Sequence, residues 1–156
     1  MHTAQPALNA LNQSVALSLI AINQYFLHAK ILNYQGFCGL GSMLYKRSIH
    51  MMKECDRLSE RLLLLETTPN LQDMGQLKIG DTVPQILAND LDLENRHISA
   101  LRKGIDACEQ VQDFVSRDIL QHFLQNSEDY ADELTTQQSL INEIGLNNYL
   151  QTIMAK

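Results

Sequence analysis

Glu94 and His97 are three residues apart, a Glu-x-x-His spacing that puts a carboxylate and an imidazole on one face of a helix. Such a pair offers two ligands to one metal ion, because both types suit iron and similar cations. Glu94 also falls in the middle of an apolar repeat, alongside Ser18, Met51 and Ser127 at the middles of three other repeats. A lone carboxylate in a core must be paired, protonated or metal-bound. Two arrangements meet that need: a hydrogen-bonded carboxyl against Tyr25 or Tyr130, or a metal ligand. Glu54 and His97 flank the same layer and are the donors that would complete a metal site with Glu94. His50 and Glu54, at i and i+4, read as an ordinary surface pair.

The elements that position this layer are four long runs with steps alternating between three and four. They are Leu8, Leu11, Val15, Ser18, Ile22, Tyr25, Ala29, Leu32; then Leu44, Ser48, Met51, Cys55, Leu58, Leu62, Leu65; then Leu87, Leu91, Glu94, Ile98, Leu101, Ile105, Cys108; and Leu120, Phe123, Ser127, Tyr130, Leu134, Gln137, Ile141, Ile144. This period is the seam of helices packed at about +20°. The predicted fold is all-α, a four-helix bundle over about residues 5–144, in a single domain covering 1–156.

The joins set the topology. Gly36, Gly39 and Gly41 make a short turn between helices one and two, and Gln112–Asp113 turns helix three into helix four. Residues 67–82 form a longer segment. A helix of about 26 residues is about 39 Å long at ~1.5 Å per residue, which roughly a dozen extended residues can span at ~3.3 Å each. This crossover therefore makes helices two and three parallel. Gly145 ends helix four. A short fifth helix over about 146–155 carries Leu146, Tyr149, Leu150, Ile153 and Met154, and its apolar face is expected to pack on another subunit.

The chain has 156 residues, 45% hydrophobic and 19% charged, with a net charge of −6. An acidic chain is poorly suited to nucleic acid. No run of eighteen apolar residues suggests a membrane span, and no signal peptide is visible. Cys38, Cys55 and Cys108 form no C-x-x-C pair and no disulfide framework. Cys55 and Cys108 read as small core residues. A reducing cytoplasm is the expected location.

Residues 19–29 (Leu-Ile-Ala-Ile-Asn-Gln-Tyr-Phe-Leu-His-Ala) resemble the first helix of bacterioferritins, members of the ferritin-like family. Residues 56–61, 69–73, 115–118 and 145–151 agree, so the resemblance covers nearly the whole chain. It implies a hollow cage of twenty-four subunits storing ferric mineral. It implies b-type haem shared between two subunits at two-fold interfaces, each giving one methionine. Met52 falls on the axial-ligand position; it is one residue off its seam, beside Tyr45 and Ile49, and faces away from the core, whereas Met51 points inward. Leu19, Ile22, Asn23, Phe26 and Lys53 align with the haem pocket, and Asn148 and Gln151 with a four-fold channel. The family's reductant, a small ferredoxin, docks at a region including Thr68, Asp81 and Gln85, which depart from the usual pattern. Lys46 and His50 replace the pattern of a cavity-lining metal site.

The resemblance places the family's di-iron ligands at Ser18, Met51, Glu54, Glu94, Ser127 and Tyr130, where only Glu94 keeps the family's residue. It therefore implies a haem-supplying subunit with a degenerate ferroxidase site and no di-iron centre, co-assembling with a catalytic bacterioferritin chain. The competing readings are an active ferroxidase rebuilt on Glu54, Glu94 and His97 with Tyr25 or Tyr130, and a purely structural chain.

Overall fold

A computed structural model of the chain describes residues 4–155. Helix α1 spans Gln5–Tyr34, α2 Cys38–Leu64, α3 Val83–Gln110, α4 Phe114–Ile144 and α5 Leu146–Thr152. The expected all-α bundle is present. α1 packs on α2 and α3, while α4 packs on α3, α2 and α5.

Local chemistry explains the helix limits. α1 and α3 carry Pro6 and Pro84 in their first turns, where a missing N–H costs nothing. Thr82 caps α3 in a reciprocal box with Gln85. Asp113 caps α4 by accepting the Ser116 N–H at 3.1 Å. At the ends of α1, α2 and α3 the chain reverses through left-handed residues, Gly36, Glu66 and Gln112. Each is followed by an N–H that returns to a carbonyl five residues earlier: Phe37 to Leu32, Thr67 to Leu62, and Asp113 to Cys108. Only the first of these uses glycine, so the other two left no glycine signal.

The turn between α1 and α2 is shorter than the glycine spacing suggested. Gly39 and Gly41 lie inside α2, where they allow close approach rather than a turn. A Cβ on Gly39 would collide with the Ala155 carbonyl, and one on Gly41 with the Asn33 side chain. The first of these contacts corrects the expectation for the tail. α5 folds back on its own bundle: Gly39 N–H donates to the Ile153 carbonyl at 2.8 Å. Tyr149 is fully buried, and its hydroxyl donates to Gln137 Oε1 at 2.6 Å. Once this chain's own α2 and α4 were close enough, Tyr149 and Ile153 had a local apolar surface to cover.

The crossover, residues 65–82, is pinned to α1 and α3 by a buried polar network. The Gly80 N–H donates to His28 Nε2 at 3.0 Å, so the ring proton is on Nδ1, which donates to Asp90 Oδ1 at 2.8 Å. Gln24 donates to the same oxygen at 2.9 Å and accepts the Lys78 N–H at 3.0 Å. Gln24 and His28 of this network lie on α1, the most apolar of the helices. An 18-residue window of α1 reaches a mean hydropathy of 1.4, enough by length and composition to cross a membrane, yet 56% of it is buried inside the bundle.

The core has two apolar clusters. One gathers Leu17, Ala21, Leu44, Leu87 and Leu134 with Tyr149 of α5. The other gathers Leu11, Val15, Leu58, Leu62, Leu101 and Phe123 toward the opposite end, and includes the buried Cys55 and Cys108. At that end Arg61 donates through Nη2 to Asp113 Oδ1 at 2.8 Å and through Nε to Ser116 Oγ at 3.0 Å. Burial works against the Asp113 charge, but the bonds from Ser116 and the Arg61 charge prevail and hold its carboxyl below the usual range. Asp113→Ala strips the α4 cap and leaves Arg61 buried without its counter-charge. The unfolding free energy, measured by urea titration of the helical signal, should fall by about 3 kcal/mol. Asp113→Asn, which keeps a capping oxygen, should lose less.

Candidate functional site

Between the two apolar clusters lies a polar layer. Ser18, Glu94 and Ser127 are buried there, as the seams required. Glu94 is not alone: Arg47, reaching in from α2, holds it from the side. Nη2 donates to Oε1 at 2.9 Å and Nε approaches Oε2 at 3.4 Å, a forked guanidinium–carboxylate pair. The Tyr25 hydroxyl donates to Glu94 Oε2. Arg47 Nη2 also reaches Ser127 Oγ at 3.3 Å, and its plane lies over the Tyr130 ring, 4.8 Å from the centroid. Tyr25 and Tyr130 meet edge to face at 5.5 Å.

The electrostatics follow from this packing. Burial opposes the Arg47 charge, but Glu94 first and Glu54 after it outweigh burial, so the guanidinium holds its proton more tightly than usual. Burial and then the Glu94 charge push the Tyr25 phenol well above its ordinary range. Burial, opposed by the Glu94 charge and aided by that of Arg47, drives His97 down to about 4, leaving a neutral imidazole at pH 7. Its Nε2 lies 3.5 Å from Ser14 Oγ.

Glu54 overturns the expectation of a surface pair with His50. His50 is half-exposed, but the Glu54 side chain is only 2% exposed. It faces Arg47 Nη1 at 3.9 Å and His50 Nε2 at 3.7 Å, and neither of its oxygens has a hydrogen-bond partner. Burial raises its carboxyl to about 8, with Arg47 opposing. The Tyr130 hydroxyl likewise has no partner. A cavity of about 510 Å³ opens from the surface onto this edge of the layer, lined by Lys46, Arg47, His50, Asp129, Tyr130 and Glu133 among others.

The layer does not fit a di-iron centre. Of the six aligned positions, Ser18, Met51, Ser127 and Tyr130 lack a carboxylate or imidazole, and a fixed cation bonds the Glu94 oxygen that a metal would need. Among the described residues, no three His, Cys, Asp or Glu side chains are grouped to hold a metal ion. Glu54, Glu94 and His97 are thus neighbours of one layer and not one coordination set.

On the outer side of α2 the chemistry changes within one residue. Met51 is fully buried, while Met52 is 52% exposed. Around Met52, α1 and α2 present Phe26 and Tyr45, both exposed, with Leu19, Ile22 and Ile49 half-buried between them. The Phe26 and Tyr45 rings are 6.2 Å apart, and Lys30 Nζ lies over both. Asn23 and Lys53 border this face. Asn23 is fixed by bonds to the Leu19 carbonyl at 2.9 Å and Met74 Sδ at 3.2 Å. A soft thioether on an exposed apolar face suits a flat apolar group carrying a soft-ligand metal. Elsewhere, Asn148 and Gln151 are exposed on α5, where Asn148 donates to the Ile144 carbonyl at 2.8 Å.

Reading the seams alone missed Arg47. The run through Leu44, Ser48 and Met51 passes beside it. A signal was there: Arg47, Met51 and Glu54 follow i, i+4, i+7 spacing, so they share the inward face with a carboxylate that needs a counter-charge.

The profile of the ferritin-like domain matches residues 8–144. The chain is 44% identical over 147 residues to a protein named bacterial ferritin from Pseudomonas aeruginosa, covering 91% of this chain and 92% of that one. It is 42% identical to a bacterial ferritin from Synechocystis sp., covering 88% of each chain. It is 33% identical to a bacterioferritin from Streptomyces coelicolor, covering 92% of this chain and 86% of the relative.

The Glu54 environment has a pH signature. Its contribution to stability is fully present below the usual value of 4.5 and is lost as pH rises to about 8, because the folded chain resists ionisation that the unfolded chain permits. The stability difference between wild type and Glu54→Gln, from denaturant midpoints, should shift in the variant's favour by on the order of 3 kcal/mol between pH 5 and 9. A flat difference would mean that Glu54 ionises freely.

Proposed function

This chain belongs to the ferritin-like family, whose members form multi-subunit iron-storage cages, and we propose that it is the haem-carrying subunit of such a cage, without ferroxidase chemistry of its own. The observation that carries the reading is the pair of adjacent methionines on α2. Met51 fills the layer where the resemblance puts a di-iron ligand, and Met52 stands exposed at the centre of an apolar α1–α2 face.

That face suits haem b shared across a two-fold axis, where one residue near the axis meets its own copy. Bound haem would supply one-electron transfer for reducing stored iron. The chain's own part is binding. Met52 offers a thioether to the iron, Leu19, Ile22, Phe26 and Ile49 exclude water, and Tyr45 extends the apolar wall. Lys53 sets a positive charge at the margin for carboxylates, and Asn23 is held in place by the crossover. Asn148 and Gln151, exposed on α5, would line a channel, as the family resemblance implies.

Without iron oxidation of its own, this subunit co-assembles with a ferroxidase-competent bacterioferritin in a 24-subunit cage, and its cytoplasmic setting suits three free thiols. Gln85 and Asp81 are engaged at the α3 cap, so a small ferredoxin reductant would dock beside residues already bonded to each other. Partnerless oxygens on Glu54 favour the second reading, a ferroxidase rebuilt on Glu54, Glu94 and His97. Arg47 argues against it.

The chain purified from haem-replete cells should be red, with a Soret band lost in Met52→Ala. Aerobic Fe(II) oxidation followed by absorbance should show no fast phase that depends on Glu94. A colourless wild type would overturn the haem assignment. A fast phase abolished by Glu94→Ala would establish the ferroxidase instead.

A further inference from the structure

The central layer holds more oxygen ligands than its hydrogen bonds use. Glu54 is buried with both oxygens free of hydrogen bonds, and the Tyr130 hydroxyl is free too. Glu94 gives both of its oxygens to Arg47, one of them shared with Tyr25. Ser127 Oγ lies against the same guanidinium at 3.3 Å. The two glutamates and Ser127 face one object, the Arg47 guanidinium, which lies over the Tyr130 ring, is 6% exposed and stands between the two carboxyl groups at 2.9 Å from Glu94 and 3.9 Å from Glu54. The Glu94 and Glu54 carboxyl groups thus flank one fixed positive charge, with oxygen atoms on both sides of it. Hard oxygen donors of this kind take Mn²⁺, Fe²⁺ or Co²⁺ when no side chain fills the place.

We infer that Arg47 is the resident cation of this layer: its guanidinium excludes divalent metals from the bundle, and its removal opens a single divalent-cation site between Glu54 and Glu94. The inference rests on the reading of this chain as one without a ferroxidase centre. It adds that one side chain keeps the centre closed, and that the ligands behind it remain. The surface cavity already reaches Arg47 past His50, Asp129 and Glu133, so a cation has a route inward once the guanidinium is gone. Glu54 explains why the site is latent and not erased. A residue without oxygen donors in its place would leave only Glu94 as a ligand, whereas the buried Glu54 carboxyl keeps two oxygens free of hydrogen bonds beside the guanidinium.

The test is a Co²⁺ titration of the full chain, freed of metal, in wild type, Arg47→Ala and the shape-conserving Arg47→Gln. Each is followed by visible absorption and by thermal midpoint with and without Co²⁺. The expected result is a cobalt ligand-field band at one ion per chain in the Arg47 variants, with affinity about a hundredfold above any binding by the wild type. Co²⁺ should raise the midpoint of the variants and leave the wild type unmoved. Adding Glu94→Gln or Glu54→Gln to Arg47→Ala should abolish the band. Variants that refold only when Co²⁺ is present would support the inference equally. Variants that fold and bind no cobalt, that fail to fold whether or not it is present, or whose band survives both glutamate substitutions would overturn it. A wild type that oxidises Fe(II) through Glu94 would sink the underlying functional reading. An inert wild type with metal-blind variants would sink this inference alone.

Discussion

The bundle is organised around the neutralisation of one buried carboxylate. Glu94 is 1% exposed at the middle of α3, between the two apolar clusters. A forked pair with Arg47 and a phenol from Tyr25 complete its shell. A buried ion pair is weak evidence for stability, since removing two charges from water costs about as much as their attraction returns. What the pair does is dictate what can share the layer. A planar, weakly hydrated guanidinium tolerates burial and stacks on Tyr130, which a lysine ammonium would do poorly. Ser127 then fits beside it and takes a bond from the same guanidinium, while Ser18 turns its hydroxyl to the Val15 carbonyl.

The same helix serves two sides with unlike chemistry. Successive residues on α2 point about 100° apart, so Met51 closes the layer while Met52 meets solvent. Phe26 and Tyr45 gather around Met52 because α1 and α2 are antiparallel neighbours joined by a three-residue turn. The crossover reaches the edge of that face through Met74, and its own place is set by the Gln24, His28 and Asp90 network. Outer face and inner layer therefore share a scaffold, yet no hydrogen bond links Met52 to the Arg47 group among the described residues.

The sequence was most legible where one period repeats. The four seams and the burial of Ser18, Met51, Glu94 and Ser127 follow from steps of three and four, and the parallel placement of α2 and α3 from the length of the crossover. It was less legible wherever two side chains distant in the chain had to meet. Arg47 is charged and one residue off the seam, so periodicity assigned it no place. Glu54 looked like half of a surface pair because i, i+4 spacing says nothing of how deeply the bundle buries that face. Gly39 read as a turn glycine, and only the close return of Ile153 and Ala155 shows that it makes room. The fate of α5 hung on whether its own bundle offered an apolar seat, which no local pattern reveals.

Arg47, Glu54 and Arg61 are spaced by seven along α2, and all three are buried. One inward stripe thus reads base, acid, base, with Glu94 facing the first and Asp113 the last. Were α2 to slide by one such repeat, about 10 Å, Glu54 would arrive against Glu94, carboxylate upon carboxylate. An apolar seam of leucines would tolerate that slip with little complaint. The stripe acts as a key cut into the helix: it lets α2 enter the bundle at one depth, and it rejects that wrong alignment by leaving Glu94 buried without its counter-charge rather than by shape.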